Sequence, residues 1–125
     1  MDRYYAFIDA EIGTALAGLA EGDLLLVISG FGMEPTGLAK RWLARLTGDA
    51  DFSGTHERAP DGFMLAYGTA VQPGRPQRGS IVDVTPTLLY FFGLPVARDM
   101  DGFARADLFT TEFALRPVSF VPSYR

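Results

Sequence analysis

Five consecutive apolar residues, Leu24–Ile28, constrain the fold of this chain more than any other feature. Successive side chains of a strand point to opposite faces, so this run would place apolar groups on both faces of a sheet. Strands that are covered on both faces are typical of parallel sheets that lie between layers of helices. The run therefore predicts an α/β protein whose first strand lies inside a mainly parallel sheet.

Helical and strand patterns alternate along the rest of the chain. Apolar residues spaced three and four apart predict helices over Arg3–Ala20 and Gly37–Leu46, and a Thr-Pro start predicts a third over Thr85–Phe92. A short apolar run predicts a strand over Phe63–Tyr67. A helical turn over Asp107–Phe113 and a late strand over Pro117–Val121 are expected after the third helix. The side chains expected in the core are Leu38, Trp42, Leu43, Leu46, Leu88, Leu89, Tyr90, Phe91 and Phe92. The alternation predicts a three-layer sandwich with flanking helices. Because about three or four strands are few for such a sheet, we expect part of a larger α/β fold, or a protomer that completes its sheet by association.

Length and charge exclude several classes of protein. A chain of 125 residues predicts one domain, residues 1–125. Its formal net charge of −4 argues against a nucleic-acid partner, which requires a basic surface. The longest apolar run is far below the roughly 20 residues that span a bilayer, and the first residues do not resemble a signal peptide. The absence of cysteine excludes disulfides and thiol chemistry. We therefore expect a soluble protein with no membrane partner, and a cytoplasmic location is favoured.

Two loops contain groups that can take part in chemistry. Gly30-Phe31-Gly32 follows the predicted strand and precedes a helix, where glycines can cradle a phosphate, but the third glycine of a dinucleotide-binding turn is missing. A tight strand-to-helix turn is the simpler interpretation. His56 is the one histidine of the chain. An imidazole is a common metal ligand, yet scattered carboxylates around one histidine do not form a coordination set, so a hydrogen-bonded surface histidine is the alternative.

Six residues near the third predicted helix are candidates for structural roles. Asp83 and Thr85 can cap the helix, and Pro86 occupies its first position, where the missing N–H costs nothing. Asp99 and Asp101 are either a carboxylate pair for acid–base chemistry or turn residues before Gly102 that bond to the backbone. Ser29 and Ser53 have no neighbouring base, so neither is expected to be a nucleophile.

Three ordered blocks of sequence, spanning roughly residues 20–110, resemble one family. Leu26–Met33 is similar to a strand and loop that usually read Val-Val-Ser-Asp-His-Gly-Met, and Ser53–Phe63 resembles a later loop and strand. The most specific block is Ile81–Leu89, which continues through Gly93-Leu94-Pro95 to Asp99–Gly102. Together they resemble the C-terminal portion of the alkaline phosphatase superfamily, in its type I phosphodiesterase/nucleotide pyrophosphatase branch.

The resemblance implies a three-layer α/β sandwich and hydrolysis of phosphate esters with two metal ions, usually zinc. His56 matches the family's late histidine, which binds the metal distant from the nucleophile. Gly30 and Phe31 align with the Asp-His pair that binds the other metal, and neither side chain can ligate. The resemblance therefore implies a degenerate metal site with His56 as its one surviving ligand position. We expect no catalytic residue in this chain and no tightly bound zinc.

The expected function is that of the C-terminal portion of a phosphodiesterase-like protein that is inactive alone. Two alternatives remain open: a metal-dependent hydrolase that another segment or chain completes, which would then act on a small phosphate ester, or a non-catalytic binding or assembly module. Because the apolar strand needs cover and a sheet edge would remain open, we also expect a homodimer, with the Arg3–Ala20 helix as the element that crosses between protomers.

Overall fold

The computed structural model describes residues 2–48 and 54–125 of the chain. Helices and strands alternate along it, which confirms a mixed α/β chain. In chain order the elements are α1 (Asp2–Gly18), β1 (Leu25–Phe31), β2 (Glu34–Pro35), α2 (Leu38–Leu46), β3 (Gly54–Thr55), β4 (Asp61–Tyr67), a 3₁₀ turn (Ile81–Asp83), α3 (Val84–Phe91), β5 (Val96–Ala97), a second 3₁₀ turn (Ala106–Leu108), α4 (Thr111–Ala114) and β6 (Phe120–Val121).

The chain forms two compact units. One, here called the terminal unit, contains the residues up to Leu25 together with Ala66–Arg125. The other, the inserted unit, is Leu26–Leu65. The expectation of one domain over residues 1–125 stays a prediction. No helix within the described ranges is long and apolar enough to cross a membrane.

The strands form three pairs. β1 pairs with β4. The Gly32 N–H donates to the Pro60 carbonyl at 2.9 Å, while the far end of β4 meets the start of β1 at Gly68 and Asp23, so these two strands run antiparallel. β2 pairs antiparallel with β3, and β5 pairs parallel with β6. The mainly parallel sheet expected from the doubly apolar run is thus not formed by the strands described, because β1 has an antiparallel neighbour. Its residues Leu25–Val27 are half-buried rather than enclosed.

An aromatic cluster forms the core of the terminal unit. The Phe109 side chain is fully buried, and its ring stacks on Phe113 with centroids 4.6 Å apart and on Phe91 at 5.9 Å. The buried Tyr90 ring meets Phe109 edge-on at 5.8 Å, and its hydroxyl donates to the Arg116 carbonyl at 3.2 Å. Offset and edge-to-face pairs of this kind are the favoured arrangements of aromatic rings. Residues 105–116, here called the late segment, contain Phe109 and Phe113 and are therefore held against α3.

The ends of α3 follow from its sequence, but its buried face differs from the prediction. Gly93 ends the helix with a φ of 69°, as expected from glycine's freedom in the left-handed region. Leu88 and Leu89 are half-buried, whereas Phe92, expected in the core, is exposed. Tyr90, which was expected in the core together with Phe92, is the aromatic side chain that α3 buries, because the aromatic residues of the late segment lie on its side of the helix.

α2 in the inserted unit also departs from the prediction. Its four large apolar residues were expected to face inward, yet each is between 60% and 81% exposed; they are Leu38, Trp42, Leu43 and Leu46. The amphipathic spacing did form a helix, but no described element covers its apolar stripe. Local spacing determines where a helix forms, and tertiary packing determines whether its stripe is buried.

Candidate functional site

The end of β1 holds the two positions where the resemblance expects metal ligands. Gly30 and Phe31 are the last two residues of β1, and both are exposed. The next residue, Gly32, approaches the backbone that precedes β4 so closely that a Cβ there would lie 2.5 Å from the Pro60 carbonyl oxygen. Only glycine fits this contact without a shift. The loop after β1 is thereby fixed against the segment that leads into β4.

The β2–β3 pair positions His56. β3 ends at Thr55, which pairs with Glu34, so His56 follows directly from a hydrogen-bonded ladder. The His56 Nδ1 atom lies 2.8 Å from the Gly32 carbonyl oxygen. Because a carbonyl oxygen can only accept, Nδ1 is the donor in this bond, and in the neutral tautomer that makes this bond Nε2 holds the lone pair. Histidines that bind metals are commonly oriented by this type of bond.

The same arrangement places His56 against Phe31. The centroids of the two rings are 4.3 Å apart and their planes are inclined by 60°. The structure therefore brings together two of the positions that the resemblance assigns to the metal site, although they lie 25 residues apart in the sequence. The residue beside the imidazole is a phenyl ring, at the position that the resemblance aligns with a histidine.

Charged groups fix the loop that contains His56. Glu57 accepts a short hydrogen bond from the Lys40 ammonium of α2. That bond and the positive charge of Lys40 lower the pKa of the Glu57 carboxyl below its usual value. The Arg58 N–H donates to the Glu34 carboxylate at 3.0 Å. The acidic groups beside His56 are thus engaged with other partners rather than directed at its ring.

The donor set does not fit the zinc ions that the resemblance implies. Structural zinc takes four ligands, and catalytic zinc takes about three together with water. Within residues 2–48 and 54–125, no three His, Asp or Glu side chains lie close enough together to hold a metal ion. Gly30 has no side chain, and a Phe31 ring has no lone pair. Ser29, the remaining polar residue of this loop, donates its hydroxyl proton to the Phe31 carbonyl at 2.9 Å, and Ser53 lies outside the described residues.

Asp83 is the centre of a second polar cluster, in the terminal unit. Its carboxylate accepts hydrogen bonds from the Phe103 N–H at 2.9 Å and the Ser80 N–H at 2.8 Å. These two bonds lower the pKa of Asp83, and the Arg105 guanidinium, 3.9 Å away, acts in the same direction. Asp83 thus ties the start of α3 to the distant segment at Phe103, which agrees with the structural role expected for it.

Arg105 extends this cluster. Its buried guanidinium forms a bidentate pair with the Asp107 carboxylate at 2.8 and 2.7 Å and donates to the Gln77 carbonyl at 2.6 Å. The hydrogen bond from Arg105 lowers the pKa of Asp107. The Arg105 N–H donates to the buried hydroxyl of Thr87, 3.0 Å away. The cluster is a cross-link between α3 and the late segment, and every member has a partner.

The predicted helix start lies one residue too late. α3 begins at Val84, so Thr85 and Pro86 are its second and third residues, and no capping bond from Thr85 is present. The capping box belongs to the preceding 3₁₀ turn, where Ser80 and Asp83 bond reciprocally. Proline is tolerated in the first turn because N–H groups there have no acceptor within the helix. Pro86 is fully buried.

Asp99 and Asp101 are turn residues, but they do not bond as expected. Both carboxylates are exposed, and within the described part of the chain neither accepts a hydrogen bond from the backbone. The turn is held by its backbone, with the Met100 N–H donating to the Ala97 carbonyl. Gly102 is required for a different reason: a Cβ there would lie 2.1 Å from the Val82 carbonyl oxygen. The segment passes directly over the start of α3.

Sequence reasoning missed Arg105, Thr87 and Phe109, which hold the terminal unit together. No local pattern shows which distant groups they join, because those partners lie 18 or more residues away. The one local signal was the Arg-x-Asp spacing of Arg105 and Asp107, which places opposite charges within reach.

Comparison of the chain with family models, curated proteins and solved structures finds no match.

Proposed function

We propose that this chain is the C-terminal portion of a domain similar to the type I phosphodiesterase/nucleotide pyrophosphatase branch of the alkaline phosphatase superfamily. In this proposal its metal site is degenerate, and the chain is not catalytic alone. The observation that carries the proposal is the contact between His56 and Phe31, with ring centroids 4.3 Å apart. Positions that the family pattern assigns to metal ligands from two separate loops are neighbours in this fold.

The orientation of His56 gives further support. Its Nδ1–H donates to a backbone carbonyl at 2.8 Å, which leaves Nε2 as the ring nitrogen with a lone pair. This is the arrangement that ligating histidines use, because the second bond fixes both the tautomer and the ring orientation. His56 therefore has the properties of a ligand position whose co-ligands are missing.

The chemistry expected of the family explains why the chain alone would be inactive. Two metal ions clamp the attacking and leaving oxygens of a phosphate ester. This chain contributes one imidazole at the site, beside a glycine and a phenylalanine. A small phosphate ester becomes a plausible substrate only when another segment or chain supplies the nucleophile and the other ligands.

The proposal also includes the three-layer sandwich, with β1 as one strand of a larger, mainly parallel sheet. In the described chain β1 has one paired edge, against β4. Its half-buried apolar residues are the surface that further layers of such a sandwich would cover. The exposed stripe of α2 favours a second candidate, a binding or assembly module without catalysis.

Zinc titration of three variants by isothermal calorimetry tests the first candidate. We expect no stoichiometric zinc site in the natural sequence. The double variant Gly30→Asp, Phe31→His restores the pair that the resemblance assigns to the other metal and places it beside His56. The three side chains together then offer one zinc ion about three ligands, so this variant should bind one zinc ion. Adding His56→Ala to that variant should abolish the binding. A matched control, Gly30→Asp with Phe63→His, changes another exposed aromatic residue of the inserted unit and should not bind.

Two results would contradict the proposal. A stoichiometric zinc site in the natural sequence that His56→Ala removes would show an intact site. No gain in the restored variant over its control would show that the two loops do not form a metal site. The sequence of the gene that encodes this chain distinguishes a hydrolase from a binding module. An upstream Thr or Ser nucleophile with intact carboxylates would favour a hydrolase that another segment completes.

A further inference from the structure

The α2 helix has an exposed apolar stripe with basic borders. The stripe is formed by Leu38, Trp42, Leu43 and Leu46, each more than half exposed. At about 100° per residue, Arg41 and Arg45 border the stripe on one side and Lys40 on the other. The helix has no acidic residue. Lys40 is paired with Glu57, so Arg41 and Arg45 carry the charge that is open to a partner.

The α1 helix has the complementary pattern. Tyr4 and Ile8 are exposed on a stripe that continues through Ile12, which is half-buried. On the helical wheel, Asp2 and Asp9 border this stripe on one side and Glu11 on the other. Arg3 is the single basic residue of the helix. The stripe therefore has acidic borders where that of α2 has basic ones.

We propose that α2 is a docking surface for α1 of a second copy of this chain. The apolar stripes would pack face to face, with Asp9 and Glu11 of one copy beside Arg41, Arg45 and Lys40 of its partner. Charge complementarity selects this pairing. Packing α2 on α2 would bring like charges together along both borders, and so would packing α1 on α1.

The size of the contact favours a reciprocal arrangement. α2 is about 14 Å long, so one contact with α1 spans only two to three turns. A stable interface buries roughly 1,600 Å² in total, which is more than one such helix pair supplies. In a symmetric dimer each copy offers α1 to α2 of its partner, so the contact is formed twice. The pattern of charges along both helices thus predicts a two-fold dimer rather than a single helix contact.

Complementary charge reversal tests this pairing in the full 125-residue chain. One variant carries Asp9→Lys and Glu11→Lys, and the other carries Arg41→Glu and Arg45→Glu. Alone, each should dimerise roughly tenfold or more weakly than the natural sequence, because like charges then face each other in both contacts. Mixed in equal amounts, the two variants should form a mixed dimer, since both of its contacts join opposite charges. Native mass spectrometry distinguishes the mixed dimer by mass.

The control is Asp99→Lys with Asp101→Lys, which reverses two exposed carboxylates outside both helices and should leave dimerisation unchanged. Restored pairing in the mixture also shows that both charge variants are folded. A natural sequence that is monomeric at tens of micromolar, as measured by sedimentation, would overturn the proposal. Unweakened dimers of either variant, or a mixture that forms no mixed dimer, would overturn it as well. None of these outcomes depends on whether the metal site is degenerate.

Discussion

The ring of His56 lies against the ring of Phe31, with centroids 4.3 Å apart, while its Nδ1–H is bonded to the carbonyl of the next residue, Gly32. Two consecutive residues thus provide the aromatic neighbour and the hydrogen-bond acceptor of the histidine: Phe31 the ring and Gly32 the carbonyl. The contact fixes the imidazole at the point where two loops of the inserted unit meet.

This contact predicts a specific NMR signature. The ring of Phe31 should shift the resonances of the His56 ring protons, and Phe31→Ala should return them towards the values of an exposed histidine. Because the chain has one histidine, the signals are assigned without ambiguity. Phe63→Ala, a change of the same type on β4, should leave them in place. Unchanged shifts in Phe31→Ala would show that the rings are not in contact.

We expect no hydrolysis of para-nitrophenyl phosphate or its diester analogue by this chain above the rate of a buffer blank, with or without added zinc. Gly30 and Phe31 cannot ligate, and no set of three metal-binding side chains is present in the described ranges. Release of nitrophenolate, followed by absorbance, measures the rate. Zinc-dependent turnover that persists through purification and is lost in His56→Ala would contradict the expectation.

Two glycine substitutions should have opposite effects on stability. Gly62→Ala should lower the free energy of unfolding, because its Cβ would lie 1.9 Å from the Ser29 carbonyl oxygen. Gly13→Ala should raise it by up to about 1 kcal/mol, because Gly13 lies within α1 and a Cβ there meets nothing within 4 Å. Urea denaturation followed by circular dichroism measures both. Equal effects would show that the close approach of β1 and β4 is absent.

Phe109→Ala should destabilise the protein by about 3–5 kcal/mol, because it leaves a cavity among the stacked rings of the terminal unit. Phe103→Ala is the matched control: the same atoms are removed from a side chain that is 77% exposed, so the melting temperature should hardly change. Similar losses of stability in both variants would show that Phe109 does not lie in the core.

The stability of the terminal unit should depend on Asp83 in acid. The N–H groups of Phe103 and Ser80 lower the pKa of this carboxyl in the folded protein below its ordinary value of 3.8. A depressed pKa stabilises the fold above the unfolded value, and that contribution is lost as the pH falls from about 3.8 through the folded pKa. Asp83→Asn should therefore be less stable at neutral pH and lose less stability on acidification.

Denaturation curves between about pH 7 and pH 2 measure this dependence. Asp99→Asn provides the comparison, because that carboxylate is exposed and should leave the acid dependence intact. If the acid dependence of Asp83→Asn matches that of the natural sequence, the carboxylate does not form the two backbone bonds.

The local features of this chain could be read from its sequence. The spacing of apolar residues predicts α1, α2 and α3 within a few residues, and Gly93 predicts the end of α3. These features depend on interactions between residues three or four positions apart, which a sequence displays directly. The position of His56 in a loop between the second helix and the Phe63–Tyr67 strand could also be predicted, because turn-forming residues surround it.

Only the tertiary structure decided what these elements pack against. It paired β1 antiparallel with β4, left the stripe of α2 exposed, and placed Tyr90 rather than Phe92 in the core. It also joined His56 to Phe31 and Arg105 to Thr87, across 25 and 18 residues. An apolar run indicates that a surface has to be buried, but it does not indicate which other surface packs against it. That choice depends on contacts between distant residues, which no local spacing encodes.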